Sequence, residues 1–287
     1  LSYNKITKMN WRYAPDVIEN VDLGNNQITR MDWKDSPKII SQIVLKNNHI
    51  TKMEWNYCGL ISEIDLNFNK ISDIDWAPLN LSVIHLDFNN ISEMNWLHCP
   101  RRLIGVYLNV NKIDELRWNG CNEKIQLIGI SGNNISEIYW TNCPDNLRIL
   151  DLSANDITKI NWRDSPVNLK KLFLDSNKIT GMKWTNSPYG LKVFSLNNNL
   201  ISDTNWVNCP DNLEEMNIFG DDDDGSLNAY KKYITSRKIQ RVFRRHLVKR
   251  NRAARKIQIK FLEWFYKPVC KDESYGLNCM LALKLCN

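Results

Sequence analysis

The sequence predicts a mostly β solenoid in which each repeat adds one short strand to a single curved parallel sheet. Three observations predict this fold: a Trp column, an Asn column with the same step, and strand-like alternation of apolar and polar residues. The 287 residues include 11 Trp and 38 Asn, a skew that is typical of repeat proteins. No apolar run is long enough to predict a membrane-spanning helix.

The two columns keep the same step along the chain. Ten Trp recur every 20–22 residues, and they are Trp11, Trp33, Trp55, Trp76, Trp96, Trp118, Trp140, Trp162, Trp184 and Trp206. Ten Asn recur with the same step, and each is followed two residues later by Ile. These are Asn4, Asn26, Asn48, Asn69, Asn89, Asn111, Asn133, Asn155, Asn177 and Asn199. After a strand the chain must turn, and an Asn side chain can bond backbone groups that the turn leaves unpaired.

One complete repeat, residues 144–162, reads PDNLRILDLSANDITKINW. It resembles the leucine-rich repeat, LxxLxLxxNxL, through Leu147, Leu150, Leu152, Asn155 and Ile157. The resemblance covers residues 1 to about 220, with Ile in place of the last Leu and Trp where many relatives carry a smaller residue. It implies a leucine-rich-repeat solenoid of the α/β superclass. The Asn-, Ile- and Lys-rich composition is similar to that of repeat proteins of giant DNA viruses of amoebae and of AT-rich protists.

The return path between strands usually contains Pro four residues after the Trp, as at Pro144 and Pro166. Since Pro lacks an N–H group and restricts φ, we expect extended or 3₁₀ segments on the convex side rather than α-helices. Five cysteines occupy the site three residues after a repeat Trp, where other copies carry Ser, and we interpret them as reduced core residues. They are Cys58, Cys99, Cys121, Cys143 and Cys209. Because no CxxC-type cluster is present, we expect no metal site.

Four segments are predicted. Residues 1–220 form about ten repeats, and because the sequence begins inside a repeat, we expect the N-terminal cap to be absent from it. Residues 221–225 form an acidic linker, residues 226–267 a basic amphipathic helix, and residues 268–287 a tail. The formal net charge of +6 divides into −7 for residues 1–225 and +13 for the basic segment, with none on the tail.

Within the predicted helix, residues 239–249 resemble the IQ motif, IQxxxRGxxxR, which EF-hand proteins such as calmodulin bind. Ile239, Gln240, Arg244 and Lys249 match, while Arg245 replaces the Gly of the motif, so the match is incomplete. The apolar residues at helical spacing, and a second partial start, complete the candidate set: Phe243, Leu247, Ile257 and Phe261.

Three interpretations of the helix remain open. Its apolar residues and flanking charges suit a calmodulin-like EF-hand partner. The same apolar stripe could instead pack over the last repeat as a C-terminal cap, or dock inside the concavity. Its charge alone would favour nucleic acid or an anionic membrane, which we consider the weaker alternative.

The outward strand positions form two columns that place apolar and aromatic residues on the concave face from the fifth repeat onward. Such exposed patches are typical of protein-binding surfaces, with aromatic anchors inside a polar rim. The predicted partner site comprises Val83, His85, Tyr107, Leu127, Ile149, Phe173 and Val193, surrounded by Asp65, Asp87, Asp151 and Asp175.

We therefore predict a non-catalytic scaffold that binds one protein on the concave face and another through the basic helix. The His residues lie in unrelated repeat positions and there is no glycine-rich phosphate loop, so neither an enzyme nor a cofactor is expected. An alternative is the substrate-recognition arm of a larger ubiquitin-ligase-type assembly. A monomer in the cytoplasm is expected, in the host cytoplasm if the protein is viral.

Overall fold

A computed structural model describes residues 1–74, 76, 80–204, 209–210 and 212–217. The chain divides into two units, Leu1–Asp221 and Asp222–Asn287, and the described residues all belong to the first. Trp206 and the predicted linker, basic helix and tail lie outside the described residues, so those predictions remain predictions.

The first unit is a solenoid whose strands join into one ten-stranded sheet, which confirms the predicted fold class. All pairings in this sheet are parallel, and each strand pairs with the strand of the next coil. Its strands are β1 (Val17–Asp22), β2 (Ile39–Val44), β3 (Leu60–Asp65), β4 (Val83–His85), β5 (Gly105–Tyr107), β6 (Leu127–Gly129), β7 (Ile149–Asp151), β8 (Lys171–Phe173), β10 (Val193–Ser195) and β12 (Glu215–Asn217). A second, two-stranded sheet pairs β9 (Gly181–Met182) with β11 (Asp203–Thr204).

The strands pair in register, so each residue lies beside its equivalent in the next coil. Ile128 on β6 pairs with Leu150 on β7, which pairs with Leu172 on β8, and all three are fully buried. Burial of this size contributes about 1.5–3 kcal/mol for each side chain. The alternation visible in the sequence is thus an alternation between the core and the outward face of the sheet.

A buried ladder of Asn side chains holds the coils together where the strands end. Between the coils of β5 and β6, Asn133 Nδ2 donates to Leu108 O of the preceding coil and to Ile130 O of its own coil, both at 3.0 Å. Asn133 Oδ1 accepts the N–H of Ile113 at 2.9 Å. The same three contacts recur for the column from Asn26 to Asn199. One side chain therefore bonds three backbone groups inside the protein. Each of the two carbonyls also accepts from a second ladder Asn, Leu108 O from Asn111 Nδ2 and Ile130 O from Asn155 Nδ2.

The Trp column forms a second ladder on the opposite side of the core. Neighbouring indole rings stack with centroids 5.7–6.3 Å apart for five pairs, including Trp96 with Trp118. In Trp11, Trp76, Trp96, Trp118 and Trp140 the indole Nε1 also donates to a carbonyl of the next coil, as from Trp96 to Arg117 O at 2.6 Å. Trp contributes a coil-to-coil hydrogen bond that a smaller apolar residue at this site could not make.

The chain returns to the next strand through turns and extended segments, and no α-helix or 3₁₀-helix occurs between residues 1 and 204 outside the gaps at 75 and 77–79. After eight of the Trp residues in the described part of the chain a β-turn forms, as where Cys143 N–H donates to Trp140 O at 2.8 Å. Asn142, the third residue of that turn, has φ 63°, and a type II turn requires a positive φ there. A second turn follows, in which Leu147 N–H donates to Pro144 O at 3.0 Å. The described part of the chain holds no helix of the length and apolar character needed to cross a bilayer.

The asparagine ladder predicts a large loss of stability for Asn133→Ala. This change would leave the Ile113 N–H group without an acceptor inside the core and remove one of the two Asn donors to Leu108 O and to Ile130 O, so the free energy of unfolding should fall by about 2–4 kcal/mol. Urea unfolding followed by circular dichroism measures the change, and the transition should broaden because the coils on either side become less coupled.

Asn134→Ala is the matched control, since Asn134 is the next residue, is exposed, and bonds Ile113 O only through its backbone N–H. We expect its free energy of unfolding to stay within about 0.5 kcal/mol of the wild type. Equal losses for the two variants would show that the ladder is not what stabilises the coils.

Candidate functional site

The seven residues of the predicted partner site all lie on the outward face of the ten-stranded sheet and are half-buried. We call this set the sheet-face patch, and it comprises Val83, His85, Tyr107, Leu127, Ile149, Phe173 and Val193. Strand register places them in two adjacent columns, because position 83 pairs with 105 and position 85 with 107 along successive strands. The prediction that these residues share one face therefore agrees with their placement, and their role in binding stays a prediction.

The patch contains a stacked aromatic pair on β4 and β5. The rings of His85 and Tyr107 are stacked, with centroids 4.6 Å apart and planes 4° from parallel. Glu63 Oε1 lies 3.6 Å from His85 Nε2 and accepts a hydrogen bond of 3.1 Å from Gln42 Nε2. Four neighbouring coils thus supply one connected row of side chains, which restricts the orientation of the His85 ring.

Two glycines give the Tyr107 ring its space. A Cβ atom at Gly129 would lie 3.3 Å from Tyr107 Cδ1, and one at Gly105 would lie 3.8 Å from Tyr107 Cε2. Gly129 pairs directly with Tyr107 across β5 and β6, so a larger residue there would displace the ring. The glycines make Tyr107 the most prominent side chain of its column at this point.

The patch is not continuous along the whole sheet. Asp151 stands between Gly129 and Phe173 in one column, and the exposed Lys171 stands between Ile149 and Val193 in the other. These two charged residues separate the Phe173 and Val193 end from the His85 and Tyr107 end.

The Asp residues do not surround the patch as predicted. Asp65 and Asp151 lie within the same column as His85, whereas Asp87 and Asp175 lie beyond the strand ends, on one side only. Each carboxylate accepts a backbone N–H. Asp65 and Asp151 each bond the residue two positions later, and Asp87 and Asp175 each bond a residue of the following coil, at 2.6–3.0 Å. The reason is structural: these N–H groups need acceptors that the strand ladder does not supply.

On the opposite side of the sheet, where the strands begin, the residues are basic instead. Arg148 and Lys192 are exposed and Lys170 is half-buried, at equivalent positions just before three successive strands. Lys192 Nζ lies 2.9 Å from Glu214 Oε1. The face from β7 to β10 therefore has Asp175 on one side, and Arg148, Lys170 and Lys192 on the other, which corrects the expectation of an acidic rim.

Sequence reasoning missed three exposed apolar residues beside the patch. Phe68, Phe88 and Val110 stand immediately before the ladder asparagines of three consecutive coils and are 50%, 44% and 43% exposed. Their signal was present in the sequence, because the equivalent position in flanking coils holds Asn or Gly. The contrast can be interpreted only once the backbone at this position is known to be left-handed, a conformation that favours Asn and Gly.

The Cys column faces the same backbone acceptor as the Ser residues that replace it. Cys99 Sγ lies 3.9 Å from Gly120 O, and Ser36 Oγ lies 3.4 Å from the equivalent Tyr57 O. Cys58, Cys99, Cys121 and Cys143 are half-buried rather than core residues, and only Cys209 among the described cysteines is buried. Across the described residues, no group of three or more His, Cys, Asp or Glu side chains is placed to hold a metal ion.

The residues of the IQ-like motif lie outside the described residues, so the structure does not place them. They are Ile239, Gln240, Phe243, Arg244, Leu247, Lys249, Ile257 and Phe261.

Solved structures with the same architecture identify the fold. The leucine-rich-repeat domain of APL1 matches with a TM-score of 0.60 and 22% identity, over 69% of this chain and 53% of that one. The chain has the leucine-rich-repeat fold. The functional domain of InlJ from Listeria monocytogenes, which includes a cysteine ladder, matches with a TM-score of 0.51 and 18% identity, over 75% of this chain and 56% of that one.

A third match is the TLR13 structure in complex with ssRNA13, with a TM-score of 0.58 and 19% identity, over 71% of this chain and 33% of TLR13. The chain spans less than two thirds of the length of each of these three proteins. No protein-family model matches the sequence, and no curated protein matches it. The comparisons therefore establish the fold.

We predict slow alkylation of the thiols in the Cys column. Burial raises the pKa of the Cys58 thiol to about 12, and burial is also the main cause that raises the pKa of Cys121 and Cys143. Since the thiolate is the reactive form, iodoacetamide should label these three residues far more slowly in the native chain than in urea at about pH 8. Peptide mass spectrometry resolves each site.

The raised pKa of the Cys58 thiol also makes the stability of the native state depend on pH. A thiol whose pKa is raised by folding stabilises the native state fully below its unfolded pKa of about 8.5, and that contribution is lost as the pH rises toward 12. The urea midpoint should therefore fall above about pH 9. Labelling at equal rates in native and unfolded protein would contradict the burial of the column.

Proposed function

We propose that the chain is a non-catalytic interaction scaffold that binds a protein partner on the outward, concave face of its sheet. The observation that supports this most directly is the stacked pair of His85 and Tyr107, held half-exposed on adjacent strands. Aromatic side chains with restricted orientation are typical anchors of protein interfaces, because little conformational entropy is lost when they are covered.

The surroundings of the pair support the same role. Val83 lies beside it in the neighbouring column, and Leu127 and Ile149 extend the apolar surface along β6 and β7. Polar and charged residues border this area on both sides of the sheet, which is the usual arrangement of an apolar centre and a polar rim. The partner would carry both positive and negative charges, since Asp175 follows the end of β8 and Lys192 precedes the start of β10, on opposite sides of the sheet face.

A second proposed interaction rests on the sequence of the basic segment. The partial IQ motif at residues 239–249 and the net charge of +13 over residues 226–267 favour an acidic EF-hand partner of the calmodulin type. One chain would then bring two different proteins together.

We also propose a cytoplasmic location and a monomeric state. The five described cysteines form no disulfide, which suits a reducing compartment.

Replacement of the aromatic anchors should reduce partner capture. Tyr107→Ala removes a half-buried ring from the patch, and loss of such an anchor costs about 2 kcal/mol, roughly a 30-fold weaker affinity. Phe173→Ala should have a smaller effect, because Asp151 and Lys171 separate it from the other anchors. The measurement is quantitative mass spectrometry of proteins captured by each purified variant.

Tyr189→Ala is the control, since Tyr189 is 83% exposed and lies outside the sheet. Its capture profile should equal that of the wild type. Unchanged capture by Tyr107→Ala would remove the sheet-face patch as the binding site.

The proposed binding of calmodulin by the basic segment is tested with the full-length protein. Isothermal titration with calmodulin should release heat for the wild type and much less for Arg244→Glu/Lys249→Glu, because the motif cations face the acidic rim of the EF-hand groove. The control is Arg163→Glu/Lys183→Glu, which changes the net charge equally on exposed solenoid positions. Absence of heat with and without calcium, or equal losses for both variants, would reject the IQ interpretation.

A further inference from the structure

The side of the sheet where β5 to β10 begin carries more cations than acidic residues. The five residues that precede each of β5, β6, β7, β8 and β10 include six Lys or Arg and two acidic residues, Glu123 and Asp145. Arg148, Lys170 and Lys192 immediately precede three successive strands, and Lys171 is the first residue of β8. We call these last four residues the basic row.

Backbone hydrogen bonds hold the members of the basic row in adjacent coils. Lys170 N–H and Lys171 N–H donate to Arg148 O at 2.8 and 2.9 Å, and Lys192 N–H donates to Lys170 O at 2.8 Å. Like-charged residues therefore follow one another at about the spacing of adjacent strands, roughly 4.8 Å. Such a placement is unfavourable for the stability of a sheet.

Other cations of the solenoid are paired with carboxylates of an adjacent coil. Four Lys bond an acidic residue at the equivalent position of the neighbouring coil: Lys38 with Asp16, Lys159 with Glu137, Lys178 with Asp156 and Lys192 with Glu214. The last of these pairs neutralises one end of the basic row. Within the described residues, no carboxylate oxygen lies within 4.0 Å of a side-chain nitrogen of Arg148, Lys170 or Lys171.

The other acidic residues of the same coils leave these three cations unpaired. Asp151 and Asp175 lie toward the ends of the strands, where each accepts a backbone N–H, at 2.9 and 2.6 Å. Asp145 is exposed and precedes Arg148 by three residues, and across the described part of the chain its carboxylate forms no ion pair. The cations are therefore available to an external carboxylate.

A glycine gives Lys170 its space. The position of Gly190 holds Asn in three other coils, and each of these Asn side chains donates to a carbonyl of the preceding coil: Asn146 to Glu123 O, Asn168 to Asp145 O and Asn212 to Tyr189 O, at 2.9, 2.9 and 3.3 Å. A Cβ atom at Gly190 would collide with Lys170 Nζ. The coil of Gly190 thus lacks a hydrogen bond that these coils make, and the Lys170 ammonium group lies where the missing side chain would be.

We propose that the basic row is the docking site for an acidic segment of the partner protein, one in which carboxylates alternate with aliphatic side chains. The inference rests on the proposed function, because it names the charge of the segment that lies along one side of the same sheet face. Adjacent like charges are unfavourable in the chain alone, and carboxylates of a partner would convert them into favourable charge-assisted contacts.

Aliphatic side chains next to the basic row favour a protein segment as the occupant. Ile149 and Val193 are the register partners of Lys171 on its two sides, and both are half-buried. Aliphatic residues of the partner could pack on them while its carboxylates reach the cations. Surfaces that bind single-stranded nucleic acid stack bases on aromatic rings instead.

The first test measures peptide binding by fluorescence anisotropy with the full-length protein. The probe is a fluorescein-labelled 12-residue peptide in which Glu alternates with Val or Ser. At about 0.1 M salt, where charges more than about 10 Å apart are largely screened, we expect Lys170→Glu/Lys171→Glu to bind at least tenfold more weakly than the wild type. A peptide with Gln in place of Glu should bind weakly to both proteins.

The control variant is Lys52→Glu/Lys183→Glu, which makes the same change of net charge at exposed positions outside the basic row. Its affinity for the Glu peptide should stay within about twofold of the wild type. Equal affinity of the wild type and Lys170→Glu/Lys171→Glu would overturn the proposal. Equal losses for the two double variants would also overturn it, because net charge alone would then explain the binding.

A second variant displaces Lys170 without changing any charge. Gly190→Asn puts a side chain where Lys170 Nζ lies and supplies an amide that can donate to Val167 O, as the Asn residues of the other coils do. We expect at least threefold weaker binding of the Glu peptide, with a urea midpoint that is unchanged or higher, because the unfolded chain loses the conformational freedom of Gly. Unchanged affinity, or a lower urea midpoint, would contradict the role given to Gly190.

Two further arms separate the remaining explanations. Loss of peptide binding in Tyr107→Ala but not in Lys170→Glu/Lys171→Glu would reject the basic row and leave the sheet-face patch as the binding site. The reverse result would support the basic row and remove Tyr107 from the site. Tighter binding of a labelled oligouridine of the same net charge than of the Glu peptide would assign the basic row to nucleic acid and reject the acidic protein segment.

Discussion

The backbone groups buried at the end of each strand set the constraint on which the rest of this solenoid depends. At that point the chain turns out of the sheet and leaves one N–H group and two carbonyl groups inside the core of two successive coils. A single Asn side chain bonds all three, as Asn133 does to Ile113, Leu108 and Ile130. No apolar side chain could replace it, because the N–H group would be left without an acceptor and each carbonyl would lose one of its two Asn donors. The fold is therefore a core of apolar side chains around a continuous polar ladder.

The geometry that the ladder requires has consequences for neighbouring residues. The residue before each Asn must adopt a left-handed backbone, and the in-register stacking places every equivalent side chain beside its counterpart. Stacking explains the Trp column, since each indole contacts the next ring and many donate to the next coil. It also explains why Cys99 and Ser36 are interchangeable, because the two side chains approach the same backbone carbonyl. Each coil contributes little stability alone and much through its neighbours.

Positions that make no contact in the Asn, Trp or apolar columns can carry different residues in different coils. The outward columns change from Gln42 and Glu63 to His85 and Tyr107, and then to Asp151 and Lys171. A rigid parallel sheet holds these side chains at fixed spacing, so a partner can be recognised without reordering the backbone. Phe68 and Phe88 differ from these, because they adopt a left-handed backbone that bulky residues disfavour, and their rings stack on one another across two coils.

The sequence by itself determined the repeat, the parallel sheet, the buried columns and the membership of the outward face. It could do so because ten copies place equivalent residues in equivalent environments, so that Asn155 and Ile157 report the same contacts as their counterparts in every other coil. Only the tertiary structure decided what the outward Asp residues do, since Asp87 bonds the N–H of Asn109, a residue of the following coil. It also decided that Lys171 and Asp151 interrupt the patch, and that Phe88 stands in a strained conformation. These properties depend on the register between coils and on backbone angles, which periodicity in a sequence does not contain.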